Sequence, residues 1–349
     1  MSLKIYSNIL ETIGNTPMVK INSVVKPTIH QYFAKVEYFN PAGSVKDRIG
    51  LAMIEAAEKR GQVKPGGTIV EATAGNTGLG LAMAAAVKGY KCIFVLPEKM
   101  SEEKRAMLRA YGARVVITPS GVAPDDPRSH YSVAKKISEM IPNSLYTSQF
   151  HNPDNYDVHY QVTGPEIWKQ MGGEVDAFVA GVGTGGTLSG VGKYLKDQNP
   201  NAKIICADPV GSILGDLFYH GKVIEKPQPW KVEGVGEDML PDNCHLKVFD
   251  GVVKVEDKEA FSMTRRLVLE EGMCVGPSGA LILVAAMKYA EQNMKKPSKI
   301  VVIMPDSGKA YLSKAFNDQW LEANGFMTKE ELNSAFNIEI RAEEELKRY

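Results

Sequence analysis

Apolar runs rich in β-branched and aromatic residues alternate along this chain with runs whose apolar positions recur at helical spacing. GTIVEAT (67–73) reads as the first strand, and GLGLAMAAAVKG (78–89) as the helix that follows. KCIFVLP (91–97) predicts a strand, and SEEKRAMLRAYG (101–112) a helix opened by Ser101 as N-cap. RVVITP, a helix near 131–141 and SLYTSQF continue the alternation. TGPEIWKQMG, DAFVAG, LSGVGKYLK and AKIICAD carry it further; DKEAFSMTRRLVLEEG, SGALILVAAMKYAEQN and KIVVIMP close it. Continuous apolar strands separated by helices predict parallel sheets covered on both faces, an α/β fold. HNPDNYDVH (151–159) is polar and turn-rich and marks the best place for a domain boundary. Near the end, Thr328 and Glu331 stand at capping-box spacing, and EIRAEEELKRY reads as a solvated surface helix.

A length of 349 residues predicts about two domains with ample core. Lys+Arg and Asp+Glu both number 41, so nothing in the charge suggests nucleic acid or an anionic membrane. The start, MSLKIYSNILETIGNTP, lacks the apolar core of a signal peptide, and no apolar run is long enough to span a bilayer. The four cysteines are widely separated and form no C-x-x-C, which disfavours a disulfide framework or a zinc site. A cytoplasmic location is expected. The six histidines show no metal-ligand spacing and are expected in surface or capping roles.

Three loops carry chemistry. In NPAGSVKDR, Ser44 can cap a helix, which puts Lys46 in its first turn. The positive end of a helix dipole is a poor place for a structural cation, and a lysine there is more easily neutral and nucleophilic. A solvated lysine is the plainer alternative. EATAGNTGLGLA joins a strand to a helix through a small turn that can bind an anion with backbone N–H groups. No Gly-Lys-Ser/Thr follows, so a carboxylate suits it better than a nucleoside triphosphate. GVGTGGT (181–187) matches G-x-G-x-x-G on Gly181, Gly183 and Gly186, with Asp208 about 20 residues on. That is the outline of a dinucleotide site, and an NAD-dependent dehydrogenase is the alternative of a different class. The hydroxyls of Thr184 and Thr187, however, suit a terminal phosphate better than a bridging pyrophosphate. MPDSG (304–308) ends a strand where ligands of α/β proteins bind, although Ser307 could equally be a helix cap.

Eight motifs run in order over most of the chain: TIGNTP, NPAGSVKDR, TAGNTG, the QF of TSQF, TGPEIW, GVGTGGT, VEGVG and PDSGKAYLSK. Together they resemble the pyridoxal-phosphate β-family of the tryptophan synthase β-like fold, specifically its cysteine synthases and cystathionine β-synthases. The resemblance implies two open twisted, mainly parallel sheets, each flanked by helices. The smaller domain would span 44–150, the larger 1–43 with 151–325, and a helical tail 326–349. Lys46 would carry pyridoxal 5'-phosphate covalently and, once displaced by the substrate amine, act as general base. Asn76 would bond the cofactor's phenolic oxygen, and Ser307, next to Asp306, its pyridine nitrogen. Gly183, Thr184, Gly185, Gly186 and Thr187 would cup the phosphate. Thr73, Ala74, Gly75, Asn76 and Thr77 would hold the substrate carboxylate, with Gln149 assisting.

ADPVGSIL (207–214), Glu233 of VEGVG and FNDQWLEANGF lean toward the cystathionine β-synthase group. Glu233 could pair with the α-ammonium of homocysteine, which sulfide lacks. The implied reaction is β-replacement on serine or an activated serine by a thiol. Cysteine synthesis from O-acetylserine and sulfide, or release of H2S from cysteine, are the alternatives. Two departures stand out: Ala74 replaces the usual serine, and VGPSGA (275–280) is about one residue shorter than the family's pattern. Neither haem nor adenosylmethionine control is expected, and a homodimer is.

Overall fold

The computed structural model describes residues 5–333, apart from 74, 99, 101 and 124, together with residue 342; of residue 103 it describes the backbone alone. The expected N-cap Ser101, the loop residue Ala74 and most of the charged tail lie outside the described residues.

The chain opens with two strands that the apolar pattern did not disclose, β1 (Met18–Ile21) and β2 (Gln31–Val36), paired antiparallel. Their burial does not alternate cleanly: β1 is mostly exposed, and β2 buries a lysine, Lys35. Helix α1 (Lys46–Lys59) follows, then β3 (Thr68–Ala72), α2 (Asn76–Lys88), β4 (Lys91–Pro97), α3 (Glu102–Ala110), β5 (Arg114–Thr118), α4 (His130–Met140) and β6 (Ser144–Tyr146). The strands of this stretch form a four-stranded parallel sheet in the order β5-β4-β3-β6.

The segment 151–159 is not a turn-rich link. Asn152 caps α5 (Pro153–Val158), and a π-helical turn (His159–Thr163) leads into α6 (Gly164–Gln170). Its residues Asp154, Asn155 and His159 are buried, which is why composition misread it. Then come β7 (Ala177–Gly181), α7 (Gly186–Gln198), β8 (Lys203–Pro209), α8 (Leu214–His220), β9 (Gly251–Val255), α9 (Asp257–Glu271), α10 (Pro277–Asn293) and β10 (Lys299–Met304). They build a six-stranded sheet, β1-β2-β10-β7-β8-β9, parallel except at β1. Helices α11 (Asp318–Ala323) and α12 (Lys329–Asn333) end the described chain, α12 with the expected reciprocal bonds between Thr328 and Glu331.

Both sheets are covered on both faces. In β7, Ala177 and Val179 join one apolar cluster, with residues of α9 and α10; Phe178 and Ala180 join another, with residues of α6 and α7. In β3 and β4, Ile69, Phe94 and Leu96 pack with α1 and α2, while Val70, Ile93 and Val95 face α4. This period-two split explains why the strands read as unbroken apolar runs. Among the described residues no helix is long and apolar enough to cross a membrane.

Three of the sequence motifs converge on one buried ion network beneath α1. Arg48 donates through Nε to Glu37 (2.7 Å) and through Nη2 to Glu37 (2.9 Å) and Glu166 (2.7 Å). Lys35 meets Glu166 (2.9 Å), Gln170 (2.9 Å) and the Thr16 carbonyl (2.8 Å). Two cations thus face two carboxylates, and the Lys35 donors are fully used. Burial works against Glu37 and Glu166, but Arg48 outweighs it and holds both below the usual carboxylate range, Glu166 at about 2. TIGNTP, NPAGSVKDR and TGPEIW contribute Thr16, Arg48 and Glu166, so these motifs serve to fix the first turns of α1.

Candidate active site

Lys46 is the first residue of α1, and the Ser44 hydroxyl accepts its backbone N–H at 3.1 Å. The preceding residue is tied to the larger sheet, since Val45 N–H bonds the Pro305 carbonyl (2.8 Å) just beyond β10. From the other side α2 presses against α1 through glycine. A Cβ on Gly80 would lie 2.6 Å from the Lys46 carbonyl oxygen, so only glycine permits this approach. The crossing brings Lys46 close to the loop that opens α2. Burial lowers the Lys46 amine below the ordinary lysine range, against the opposing charges of Asp306 and Glu237. Among the described residues its amine has no hydrogen-bond acceptor.

Lys46 and the glycine loop line one cavity, with Gly183, Thr184, Gly185 and Thr187 on one wall and Val235, Ile282 and Ile303 as apolar surroundings. Gly185 adopts φ +88°, and a Cβ there would stand 2.6 Å from the Cys244 amide, so the loop can turn only with glycine. Helix α7 starts at Gly186 with no side-chain cap and no acidic residue in its first turn. Its free N–H groups and two threonines make a site for an anion.

The loop that opens α2 is held by hydrogen bonds of its own. Thr73 and Thr77 are buried, Thr73 Oγ1 accepts the Gly75 N–H (3.3 Å), and the Thr77 hydroxyl donates to Gln149 Oε1 (2.6 Å). Asn76 Nδ2 reaches across to Asp306 Oδ2 at 2.8 Å. Asp306 is the group that most changes the sequence-based picture. It is 3% exposed, Tyr311 also donates to its Oδ2 (2.7 Å), and among the described residues its Oδ1 is buried without a partner. Burial raises its carboxyl despite Tyr311, Asn76 and Lys46. Ser307 is half-buried and caps the turn Gly308–Tyr311, accepting the Lys309 N–H at 3.3 Å.

Glu233 precedes Gly234 and Val235, which line the Lys46 cavity. Its carboxylate is shared by Lys314 (2.5 Å) and Lys104 of α3. Burial opposes its charge, but the two ammonium groups win and hold it below the usual range. Glu237 was not singled out by any motif. Burial, helped by Asp238, pushes it up to about 8 against the pull of Lys46. A second cavity, of about 520 Å³, is walled by Ser148 and Phe150 on either side of Gln149, by Tyr131 and Tyr146, and by Met239. Asp208, the acid that completed the dinucleotide outline, is wholly buried; it accepts from Lys254 Nζ (2.5 Å) and the Gly215 N–H (3.2 Å), so no ribose can use it.

Residues 9–306 match the family described as pyridoxal-phosphate dependent enzyme. The chain belongs to that family. Cystathionine beta-synthase of Apis mellifera is 45% identical over 326 residues, 93% of this chain and 64% of that one. The enzyme of Dictyostelium discoideum is 44% identical over 93% of this chain and 65% of its own length, and that of Saccharomyces cerevisiae 42% over 91% and 64%. The chain thus spans less than two thirds of the length of these relatives. A hydrogen sulfide-producing enzyme from Fusobacterium nucleatum shares the fold with a TM-score of 0.81 and 36% identity, over 88% of this chain and 98% of that one.

The site suits the cofactor of this family, pyridoxal phosphate. An uncapped helix start with two hydroxyls matches a phosphate, and a lysine of lowered pKa shares its cavity. Membership of this family removes the dehydrogenase alternative. The signals that sequence alone left unread were Asp306, Glu237 and His159. The last was expected at the surface or as a cap. It is instead completely buried, with Nε2 3.1 Å from the Thr187 hydroxyl.

Proposed function

We propose that the chain catalyses β-replacement on L-serine or an activated serine, with L-homocysteine as thiol and L-cystathionine as product. The observation that carries this reading is Glu233, a carboxylate at the edge of the Lys46 cavity. The names of the curated relatives support it, and the cavity beside Gln149 offers room for an acceptor larger than sulfide.

In this proposal Gly183, Thr184, Gly185, Gly186 and Thr187 hold the phosphate, Asn76 the phenolic oxygen and Ser307 the pyridine nitrogen. When bound, pyridoxal phosphate supplies the electron sink that lets a Cα proton leave. Lys46, whose burial favours the neutral amine, takes that proton as general base. Thr73, Ala74, Gly75, Thr77 and Gln149 orient the substrate carboxylate. Glu237, protonated near neutral pH, gives its proton to the departing hydroxyl, which leaves as water. The incoming thiol returns a proton to Glu237 as its sulfur bonds the β-carbon, and Lys46 gives its proton back to Cα, which restores the Cα–H bond of the product. Closure of the unit 44–150 over the unit 1–43 with 151–325 excludes water from the centre. A cytoplasmic homodimer completes the proposal.

The test is a product assay with serine plus homocysteine, O-acetylserine plus sulfide, and cysteine alone. Glu233→Gln should lower kcat/KM with homocysteine by about 10- to 100-fold, the worth of one charge-assisted bond. Equal losses with all three substrate sets would refute its specificity role. Glu237→Gln should cost about 10²–10⁴-fold with serine. It should spare O-acetylserine, whose acetate leaves without a proton; a matching loss there would exclude Glu237 as the donor. Release of H2S from cysteine is the second reading, favoured by the likeness to the Fusobacterium nucleatum enzyme. Cysteine synthesis from O-acetylserine and sulfide is the outcome if the second substrate set is fastest.

A further inference from the structure

Two residues four apart on the 153–163 helical segment reach the two threonines of the glycine loop. Asn155 Nδ2 donates to Thr184 Oγ1 at 2.9 Å and to the Gln149 carbonyl at 2.8 Å. A carbonyl only accepts, so the amide orientation is fixed and Thr184 Oγ1 must be an acceptor. His159 Nε2 stands 3.1 Å from Thr187 Oγ1, and its Nδ1 2.9 Å from Thr163 Oγ1. Asn155, His159 and Thr163 are all 0% exposed.

Counting hydrogens decides the histidine's tautomer. Burial, then the charges of Arg48 and Lys46, push its pKa well below the ordinary value, so the ring is neutral and carries one N–H. The Thr163 hydroxyl has His159 Nδ1 as its hydrogen-bond partner among the described residues. If Nδ1 held the proton, the Thr163 hydroxyl hydrogen would be stranded in a dry interior, a costly arrangement. Thr163 therefore donates to Nδ1, and the ring proton sits on Nε2, pointing at Thr187 Oγ1.

We propose that Asn155 and His159 are positioning residues that set the direction of both threonine hydroxyls. Each donates to a threonine oxygen, which turns the threonine's own O–H toward the cavity. The loop then offers the cofactor phosphate donors only: two hydroxyls and the free N–H groups of α7. Thr163 controls this at one remove, by holding the histidine tautomer. The inference rests on 183–187 being the phosphate cup.

The experiment titrates the 349-residue chain, stripped of cofactor, with pyridoxal phosphate and with pyridoxal, which lacks the phosphate. Thr163→Val and His159→Leu should weaken pyridoxal phosphate by about 10- to 100-fold, the worth of a hydrogen bond to a charged group. Pyridoxal binding should change by less than about twofold, which also reports that the variants fold. His159→Gln, which keeps a donor, should restore much of the phosphate-dependent affinity. ¹⁵N NMR of the wild type should show His159 protonated on Nε2. Protonation on Nδ1, or equal weakening for both ligands, would overturn the proposal. A wild type that binds the two ligands equally would instead refute the phosphate cup itself, and the inference with it.

Discussion

Lys46→Ala is expected to abolish turnover and the visible absorption of bound cofactor while leaving the fold intact. In the roles proposed for Lys46, loss of the general base alone removes about 10²–10⁴-fold in rate, and loss of the covalent attachment point adds to it. The stability side of this prediction is less usual. The Lys46 amine is disfavoured as a cation by burial and has no acceptor among the described residues, so it is held at some cost. Alanine is also a better helix former. The cofactor-free variant should therefore melt at the same temperature as the cofactor-free wild type or slightly above it. Spectra, borohydride bleaching and thermal melts of both proteins check this. A variant that keeps its cofactor band and bleaches with borohydride would show that another amine carries the cofactor.

Arg48→Ala should be the most destabilising single change in the chain. It leaves Glu37, which is 0% exposed, without its guanidinium and removes one of the two cations on Glu166. Breaking a buried pair from one side costs about 3–5 kcal/mol, readable from urea unfolding. Arg48→Lys should rescue little, because one ammonium cannot serve two carboxylates with the geometry of a planar fork. The pH dependence gives a second readout. Both carboxylates have folded pKa values below their unfolded ones, so their contribution is present above the ordinary glutamate range. It is lost as pH falls toward about 2, where Glu166 is protonated. In Arg48→Ala this acid-labile part of the stability should shrink. A variant with unchanged midpoint and unchanged acid limb would show that the network does not hold α1. Since α1 carries Lys46, cofactor affinity should fall along with stability.

The network also brings together residues from short motifs far apart in sequence. Thr16, Glu37, Arg48 and Glu166 look like four unrelated polar residues when read along the chain. Each would be expensive to bury alone. Folded, they bond one another beneath the helix that presents the lysine, and Lys35 supplies the second positive charge.

Much of this protein was legible in its sequence because the relevant physics is local. Strand and helix periods, the serine before Lys46, the glycines of 183–187 and the capping pair Thr328–Glu331 each act within a few residues. Local rules therefore disclosed the parallel sheets, the helix start at Lys46 and the glycine turn that opens α7. Where a residue's partner lies far along the chain, local rules were silent or misleading. The β1–β2 pair is stabilised by β10, and the segment 151–159 hides Asn155 and His159 against the glycine loop. Asp306 meets Asn76 across 230 positions, and His159 meets Thr187 from a segment that composition places at the surface. Sequence alone determined which groups the chain owns and which backbone turns can cradle an anion. Tertiary structure decided which protonation state and which donor direction each buried group adopts, because burial and distant charges set both.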